Sequence, residues 1–180
     1  MSPRTPHQGD LTLAVGERDH SQGGAKAPVT LVEYGDYECP HCGRAYPIIK
    51  AVAKRMGDQL RFVFRNFPLN NAHPNAELAA ETAEAAGAQG KFWEMHDALY
   101  ENQAQLGQDL VMELAQSLKL DTTRFLDDLR SRKFQARVKE DFMSGVRSGV
   151  NGTPGLFING IRFEESWDEE NLLAALKQAT

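Results

Sequence analysis

The spacing of apolar positions divides the chain into strand-like ends and a helical middle. Short runs rich in β-branched and aromatic residues predict strands over 11–15, 29–34, 60–67, 156–158 and 161–163. Prolines vanish after Pro74, and alanine, leucine and glutamate then dominate up to residue 149. Apolar positions in this stretch recur at helical spacing, which predicts helices near 75–87, 91–102, 109–118, 122–130 and 133–147.

A hairpin and two further helices complete the predicted order. Apolar residues recur at helical spacing from residue 45 to 56, and Pro47 inside this stretch is expected to kink the helix. Asn159-Gly160 is a two-residue hairpin signal, and Ser166 with Glu169 has the spacing of a capping box for a last helix. The predicted order is β, β, α, β, helical block, β, β, α, which indicates an α/β fold with a central mixed sheet flanked by helices.

Size and charge narrow the classes of function. The 180 residues are enough for one domain with a sizeable core, or for a small domain that carries a large insertion. The net charge of −5 leaves no basic excess, so we expect no nucleic-acid partner. No stretch approaches the roughly 18 apolar residues of a transmembrane segment. Residues 1–10 are polar, contain two prolines and are expected to form a flexible tail.

The N-terminal residues bear on the compartment. They lack the apolar core of a secretory signal, which favours a cytoplasmic protein. The alternative is a periplasmic or otherwise exported protein whose signal has been removed. The choice matters because the two compartments drive thiols in opposite redox directions.

The chain has two cysteines, and they stand as Cys39-x-x-Cys42 between a predicted strand and a predicted helix. A disulfide this short would close too small a loop to stabilise the fold much, so we expect it to be a redox-active pair. Cys39 would lie at the helix N-terminus, where free N–H groups favour an anion, and would be the exposed nucleophile of low pKa. Cys42, one turn further in, would be the more buried resolving thiol.

The two residues between the cysteines suit the same chemistry. An imidazole at His41 could stabilise the Cys39 thiolate, which would make the disulfide a stronger oxidant. Pro40 removes one backbone donor and stiffens the turn. Half of a zinc site is a weaker alternative, because zinc wants four ligands and the chain has no second Cys-x-x-Cys. We expect no metal, and we expect His73 and His96 to be surface or helix-packing residues.

Three local features together resemble the DsbA-like thiol–disulfide oxidoreductases of the thioredoxin fold. They are Cys39-Pro40-His41-Cys42, an acid at Glu33 six residues before the first cysteine, and Thr153-Pro154 before the hairpin. The resemblance implies a thioredoxin-like domain built from residues 11–73 and 150–180, with residues 74–149 as the family's helical insertion. It also implies a cis peptide bond at Thr153-Pro154 and no cofactor beyond the Cys39–Cys42 disulfide.

The resemblance also implies roles for residues outside the cysteine motif. Glu33 would lie under Cys42 as a buried carboxyl of raised pKa and move a proton to or from that thiol. The Thr153 backbone beside Pro154 would pair with an extended substrate segment by strand-like hydrogen bonds. DsbA oxidases typically have valine at the position of Thr153, so the direction of the reaction stays open among oxidase, reductase and isomerase.

The expected partners are protein or peptide thiols and disulfides and an unidentified redox recycling partner, with the chain itself a monomer. Two other functions remain possible readings of the residues. One is a glutathione-dependent transferase or isomerase on the same fold, against which Cys42 counts. The other is a redox-regulated binding module whose helical block holds a partner.

Overall fold

A five-stranded mixed sheet forms the centre of the protein. The structure, a computed structural model, describes residues 9–180. The strands lie in the order β1-β3-β2-β4-β5; β2 and β3 run parallel and the other neighbouring pairs antiparallel. Their bounds are β1 His20–Gly23, β2 Val29–Gly35, β3 Leu60–Asn66, β4 Gly155–Ile158 and β5 Ile161–Phe163.

Within residues 9–180, seven α-helices surround the sheet, and five of them follow one another between β3 and β4. The helices are α1 Pro40–Met56, α2 Ala76–Gly87, α3 Phe92–Glu101, α4 Gln108–Ser117, α5 Thr122–Arg130, α6 Gln135–Arg147 and α7 Glu169–Gln178. Short 3-10 helices at Gly57–Gln59 and Gln103–Gln105 follow α1 and α3. The predicted fold class and the five helices of the middle block are confirmed, with ends that differ by one or two residues.

The sheet buries apolar side chains on both faces, as the continuous apolar run of β2 predicts. Leu31 and Phe64 pack on the face covered by α1, α3 and α7. Val32, Tyr34 and Phe157 pack on the opposite face in a second, smaller cluster. Alternate residues of β2 thus face opposite cores, which holds the end of this strand, where the candidate site begins, in a fixed position.

The first predicted strand is wrong. Residues 11–15 form no strand; their apolar side chains Leu11 and Val15 pack against the smaller core cluster instead. The first strand of the described residues is β1, in a segment for which no strand is predicted, and it is an edge strand made of polar residues and glycine that pairs with β3. Most of the predicted tail lies outside the described residues, but Asp10 forms an isolated β-bridge with Ile161 and is no part of a loose tail.

The predicted capping box of the last helix is also wrong. Asp168 is the N-cap of α7, and its carboxylate accepts a hydrogen bond from the Asn171 backbone N–H. The Ser166 hydroxyl donates to that carboxylate at 2.8 Å, and Glu169 pairs with Arg55 instead of the cap. The hairpin signal is confirmed, because Asn159 and Gly160 both adopt positive φ between β4 and β5.

Candidate active site

Strand β2 and helix α1 place the two cysteines. After β2 ends, the backbone turns so that the Cys39 N–H donates to the Asp36 carbonyl at 3.1 Å. Cys39 is the N-cap of α1, with an extended backbone, and Pro40 occupies the first helical turn, where its missing N–H leaves no bond unmade. The Cys39 thiol therefore sits at the end of α1 that carries free N–H groups.

The surroundings of Cys39 and Cys42 move their pKa values in opposite directions. A hydrogen bond from the Cys42 thiol lowers the pKa of Cys39 to about 5, with help from Thr153 and from the backbone N–H groups of Cys42 and His41, although burial opposes it. Burial raises the pKa of Cys42 well above its ordinary value, and the nearby Cys39 and Glu33 add to this. At neutral pH Cys39 is therefore a thiolate and Cys42 a thiol, which is the division that exchange chemistry needs.

Cys39 is less exposed to solvent than the sequence predicts. Its residue is only 4% exposed, so the expectation of an exposed nucleophile is wrong, although Cys42 at 0% is the more buried of the two as predicted. Cys39 lies in the wall of an open groove of about 620 Å³, together with Pro40, His41 and Trp167. Both cysteines are free thiols. A substrate would have to enter this groove to reach the sulfur.

The opposite wall of the groove comes from the chain just before β4. The peptide bond between Thr153 and Pro154 is cis, and the Cys39 thiol donates to the Thr153 carbonyl at 3.6 Å. Because β4 pairs with β2 from Gly155 onwards, the sheet register fixes this approach. The Thr153 hydroxyl is buried and has no hydrogen-bond partner among the described residues.

Glu33 lies in the middle of β2, beneath the cysteines. It is 2% exposed, and its Oε1 has no hydrogen-bond partner within residues 9–180. Burial raises the pKa of Glu33 to about 8, and the charge of Cys39 adds to the rise. Glu33 also borders a cavity of about 40 Å³ that Lys50 and Asp97 line as well, large enough for a water molecule. Near neutral pH this carboxyl can hold a proton or release one.

His41 contacts the cysteine by its backbone and not by its ring. Its side chain is exposed, and its Nδ1 lies against the Arg44 guanidinium. Its backbone N–H is one of the groups that lower the pKa of Cys39. The electrostatic role predicted for the imidazole of His41 therefore stays a prediction.

His73 was missed by the sequence analysis, and the structure brings it into the site. It lines the same groove as Cys39, and its Nδ1 lies 2.7 Å from the buried Asp36 carboxylate. His96, by contrast, is buried in the core, where its Nδ1 lies 3.0 Å from the Tyr37 hydroxyl and burial lowers its pKa to about 3. His96 is thus the packing residue that was predicted, whereas His73 is a partly exposed loop residue that also borders the groove.

Gln103 is a second residue that sequence reasoning missed. Its side-chain amide donates to the carbonyl oxygens of Tyr37 at 2.8 Å and Cys39 at 2.9 Å, and so ties the helical block to the cysteine loop. A side chain at Gly43 would collide with Gln103, at 2.2 Å from its Oε1. No residue pattern near the cysteines points to a partner more than sixty positions away, so sequence spacing carries no signal for it.

Metal-ligand clusters and membrane-spanning helices are both absent from residues 9–180. No group of three or more His, Cys, Asp or Glu side chains is placed to hold a metal ion in this part of the chain. Within the same residues, no helix has the length and apolar character needed to cross a membrane.

Comparison with known proteins places this geometry in a family. Residues 16–178 match a family model described as Thioredoxin. Over 171 residues the chain is 45% identical to a Na(+)/H(+) antiporter NhaA 1 from Salinispora arenicola, a match that covers 94% of this chain and 26% of that protein. The chain thus spans about a quarter of the length of the curated relatives it matches.

Two solved structures show the same fold. A thioredoxin-like oxidoreductase from Silicibacter pomeroyi DSS-3 superposes with a TM-score of 0.81 at 24% identity, covering 97% of this chain and 98% of the other. The thiol-disulfide exchange protein alpha-DsbA2 from Wolbachia pipientis does so with a TM-score of 0.80 at 20% identity, covering 91% and 88%. The chain belongs to the thioredoxin family, and its fold is that of the DsbA-like thiol–disulfide oxidoreductases.

Proposed function

We propose that the protein is a thiol–disulfide oxidoreductase that exchanges disulfides with protein or peptide thiols through Cys39 and Cys42. One observation carries the proposal: two thiols in one Cys-x-x-Cys motif have pKa values moved in opposite directions, at the wall of an open groove. A low pKa supplies the attacking or leaving thiolate, and a high pKa keeps the partner protonated until it is needed.

The reaction in the oxidising direction takes two exchanges. A substrate thiolate attacks the Cys39 sulfur, the Cys39–Cys42 bond breaks, and Cys42 leaves and takes a proton from Glu33. The second substrate thiolate then attacks the substrate sulfur of the mixed disulfide, and Cys39 leaves as a thiolate. Two electrons pass from the substrate dithiol to the cysteine pair, which ends reduced while the substrate becomes a disulfide. A reductase runs the same steps backwards.

The groove supplies the substrate-binding part of the proposal. The backbone of Thr153 beside Pro154 faces Cys39, so an extended peptide could pair with it while its own sulfur reaches the thiol. Since the groove is open, it suits a segment of a protein or peptide better than an enclosed small molecule. A separate redox partner would return the pair to its starting state.

The direction in the cell follows from the reduction potential of the pair. The low pKa of Cys39 stabilises the reduced form and so favours an oxidase, whereas threonine at position 153 departs from the DsbA pattern. A potential near about −270 mV, that of thioredoxin, would mark a reductase; one near about −120 mV, that of DsbA, would mark an oxidase. Replacing His41 by proline should make the pair more reducing if the imidazole contributes.

The compartment and the longer relatives are part of the same proposal. An oxidase would work outside the cytoplasm and a reductase within it, so fractionation of the native source together with the potential tests both alternatives. We propose thiol chemistry for this chain, and not the ion transport named for its relatives, because the groups described here that are set up for chemistry are Cys39 and Cys42.

The decisive experiment uses single cysteine substitutions. Their effects can be assigned to one thiol each, because the chain has only two cysteines. Cys39→Ser should abolish both the oxidation of a model dithiol peptide and the reduction of its disulfide form. Cys42→Ser, mixed with the disulfide form of the peptide, should instead accumulate a mixed disulfide between Cys39 and one peptide sulfur while the other peptide sulfur leaves as a thiolate, and the adduct is seen as an added mass. Full turnover by the Cys39→Ser protein would refute the proposal. If the protein conjugates glutathione to a substrate and Cys42→Ser leaves the rate unchanged, a transferase is favoured instead.

A further inference from the structure

We propose that His73, held in place by Asp36, carries a positive charge in this site. Its imidazolium stabilises the Cys39 thiolate and makes the Cys39–Cys42 pair more oxidising. The inference deepens the proposed function and rests on the Cys39–Cys42 pair being redox active. It assigns a role to a residue outside the cysteine motif, on the loop between β3 and α2.

The position of His73 is fixed by a buried carboxylate. The Asp36 side chain is 0% exposed and accepts hydrogen bonds from the backbone N–H groups of Glu38 at 2.8 Å and Leu69 at 3.0 Å. Its Oδ2 also lies 2.7 Å from Nδ1 of His73, whose side chain is 20% exposed. Because Nδ1 is bound to Asp36, the other imidazole nitrogen, Nε2, is available for interactions in the groove that His73 and Cys39 both line.

Asp36 also contacts the other cysteine. Its backbone N–H donates to the Cys42 sulfur at 3.5 Å. The same residue therefore places a donor on the resolving thiol and an imidazole beside the nucleophile. Asp36 is therefore in contact with both Cys42 and His73.

The charges around the groove explain why a cation is needed there. Asp36 and Glu38 carry negative charges close to the place where the Cys39 thiolate forms, and all three raise the pKa of His73, against the effect of burial. His41 and Arg162 also line the groove. The guanidinium of Arg162 donates a hydrogen bond to the Gly149 carbonyl. A protonated His73 supplies the positive charge that pairs with the buried carboxylate of Asp36, and it places that charge in the groove that Cys39 lines.

The charge of His73 links the potential to pH. In the reduced protein an imidazolium faces a thiolate, whereas in the disulfide form that anion is gone. The reduced form therefore binds the His73 proton more tightly, and a protonated His73 favours the reduced form by the same factor. This effect operates below the pKa of His73 and disappears above it.

The test compares the wild-type protein with His73→Gln in glutathione redox buffers at several pH values. At pH 6 the substitution should reduce the equilibrium constant for oxidation of glutathione by about 3- to 10-fold, the effect of one charge across a solvated groove. That change corresponds to a potential more negative by about 14 to 30 mV. Above the pKa of His73, which the NMR titration described below measures, the two potentials should converge. A purely structural effect would persist at every pH.

His20→Gln is a matched control. His20 also pairs with a buried carboxylate, Glu84, at 2.9 Å, and its side chain is 22% exposed, but it does not line the groove. Its substitution should leave the potential unchanged. NMR titration provides an independent readout: the pKa of His73 should be higher in the reduced than in the oxidised protein by the logarithm of the same fold-change.

The outcomes separate this inference from the proposed function. Equal potentials for wild type and His73→Gln at pH 6, an equal shift for His20→Gln, or an identical pKa of His73 in both redox states would overturn it while exchange by Cys39 continues. Loss of the proposed function would instead appear as a wild-type protein that exchanges no disulfide at all. A His73→Gln shift confined to low pH would support the inference.

Discussion

Replacing Glu33 by glutamine should change the pH dependence of the stability of the folded protein. Glutamine keeps the size of the side chain and removes its titration. In the folded protein burial holds the pKa of Glu33 at about 8, against an ordinary 4.5. Between these two values the folded protein keeps the Glu33 proton and the unfolded chain does not, so the free energy of unfolding falls as pH rises through this window.

The size of the effect follows from the two pKa values. At 1.36 kcal/mol per pH unit, the difference between 4.5 and about 8 corresponds to up to about 5 kcal/mol of lost stability above pH 8. Cys39 contributes a slope of the opposite sign in the reduced protein, because its folded pKa of about 5 lies below the ordinary 9.0. A comparison of two proteins that both keep Cys39 cancels this second slope.

The assay is urea unfolding of wild type and Glu33→Gln in the reduced state, from pH 4.5 to 9. The two proteins should differ little near pH 4.5, and the variant should become progressively more stable, by up to about 5 kcal/mol near pH 9. The exposed Glu94→Gln is the control and should follow the wild type throughout. Parallel curves for wild type and Glu33→Gln would refute the assignment of a raised pKa to this buried carboxyl.

Three other substitutions test further contacts. Thr153→Val should stabilise the fold by about 1 kcal/mol in urea unfolding, because it removes a buried hydroxyl that has no hydrogen-bond partner among the described residues; a lower stability would contradict this. Gln103→Ala should cost about 1 to 3 kcal/mol in urea unfolding, since the Tyr37 carbonyl loses its side-chain donor and the Cys39 carbonyl keeps only the Gly43 backbone N–H; an unchanged midpoint would show that water replaces the lost donor. Arg65→Met should cost about 3 to 5 kcal/mol by the same assay, because it removes the main ion pair of the buried Asp19 carboxylate and leaves it only Arg18 at 3.7 Å and the Gly16 backbone N–H; a loss below 1 kcal/mol would argue against this ion pair.

The elements that sequence periodicity predicted well are those whose own residues carry the signal. The helical block and the central strands have regular apolar spacing, and the hairpin has Asn159-Gly160. Strand β1 was missed because an edge strand buries little, so its four residues need no apolar side chains. The cap of α7 was misplaced because Ser166 and Asp168 are both good N-cap residues and only the path of the backbone chooses between them.

The residues of the candidate site also differ in how far the sequence predicts them. Cys39 and Cys42 could be found from sequence because one local motif holds both thiols and the helix that activates them. His73 and Gln103 could not, because they reach the site from loops 34 and 64 residues beyond Cys39, and only the tertiary fold decides which side chains of those loops point inward. The division into a thioredoxin-like domain and an insertion stays a prediction.

The contact between Cys39 and Thr153 joins positions 114 residues apart, and this separation has a consequence for the life of the chain before it is complete. In an unfolded or half-made chain the Cys39 thiol has its ordinary pKa of 9.0 and is only about 1% ionised at pH 7. The wall of the groove at Thr153 and Pro154 forms once the loop of more than a hundred residues has closed, a late and slow event in folding. A nascent chain therefore carries a weakly ionised thiol and has no second wall that could hold a substrate beside it.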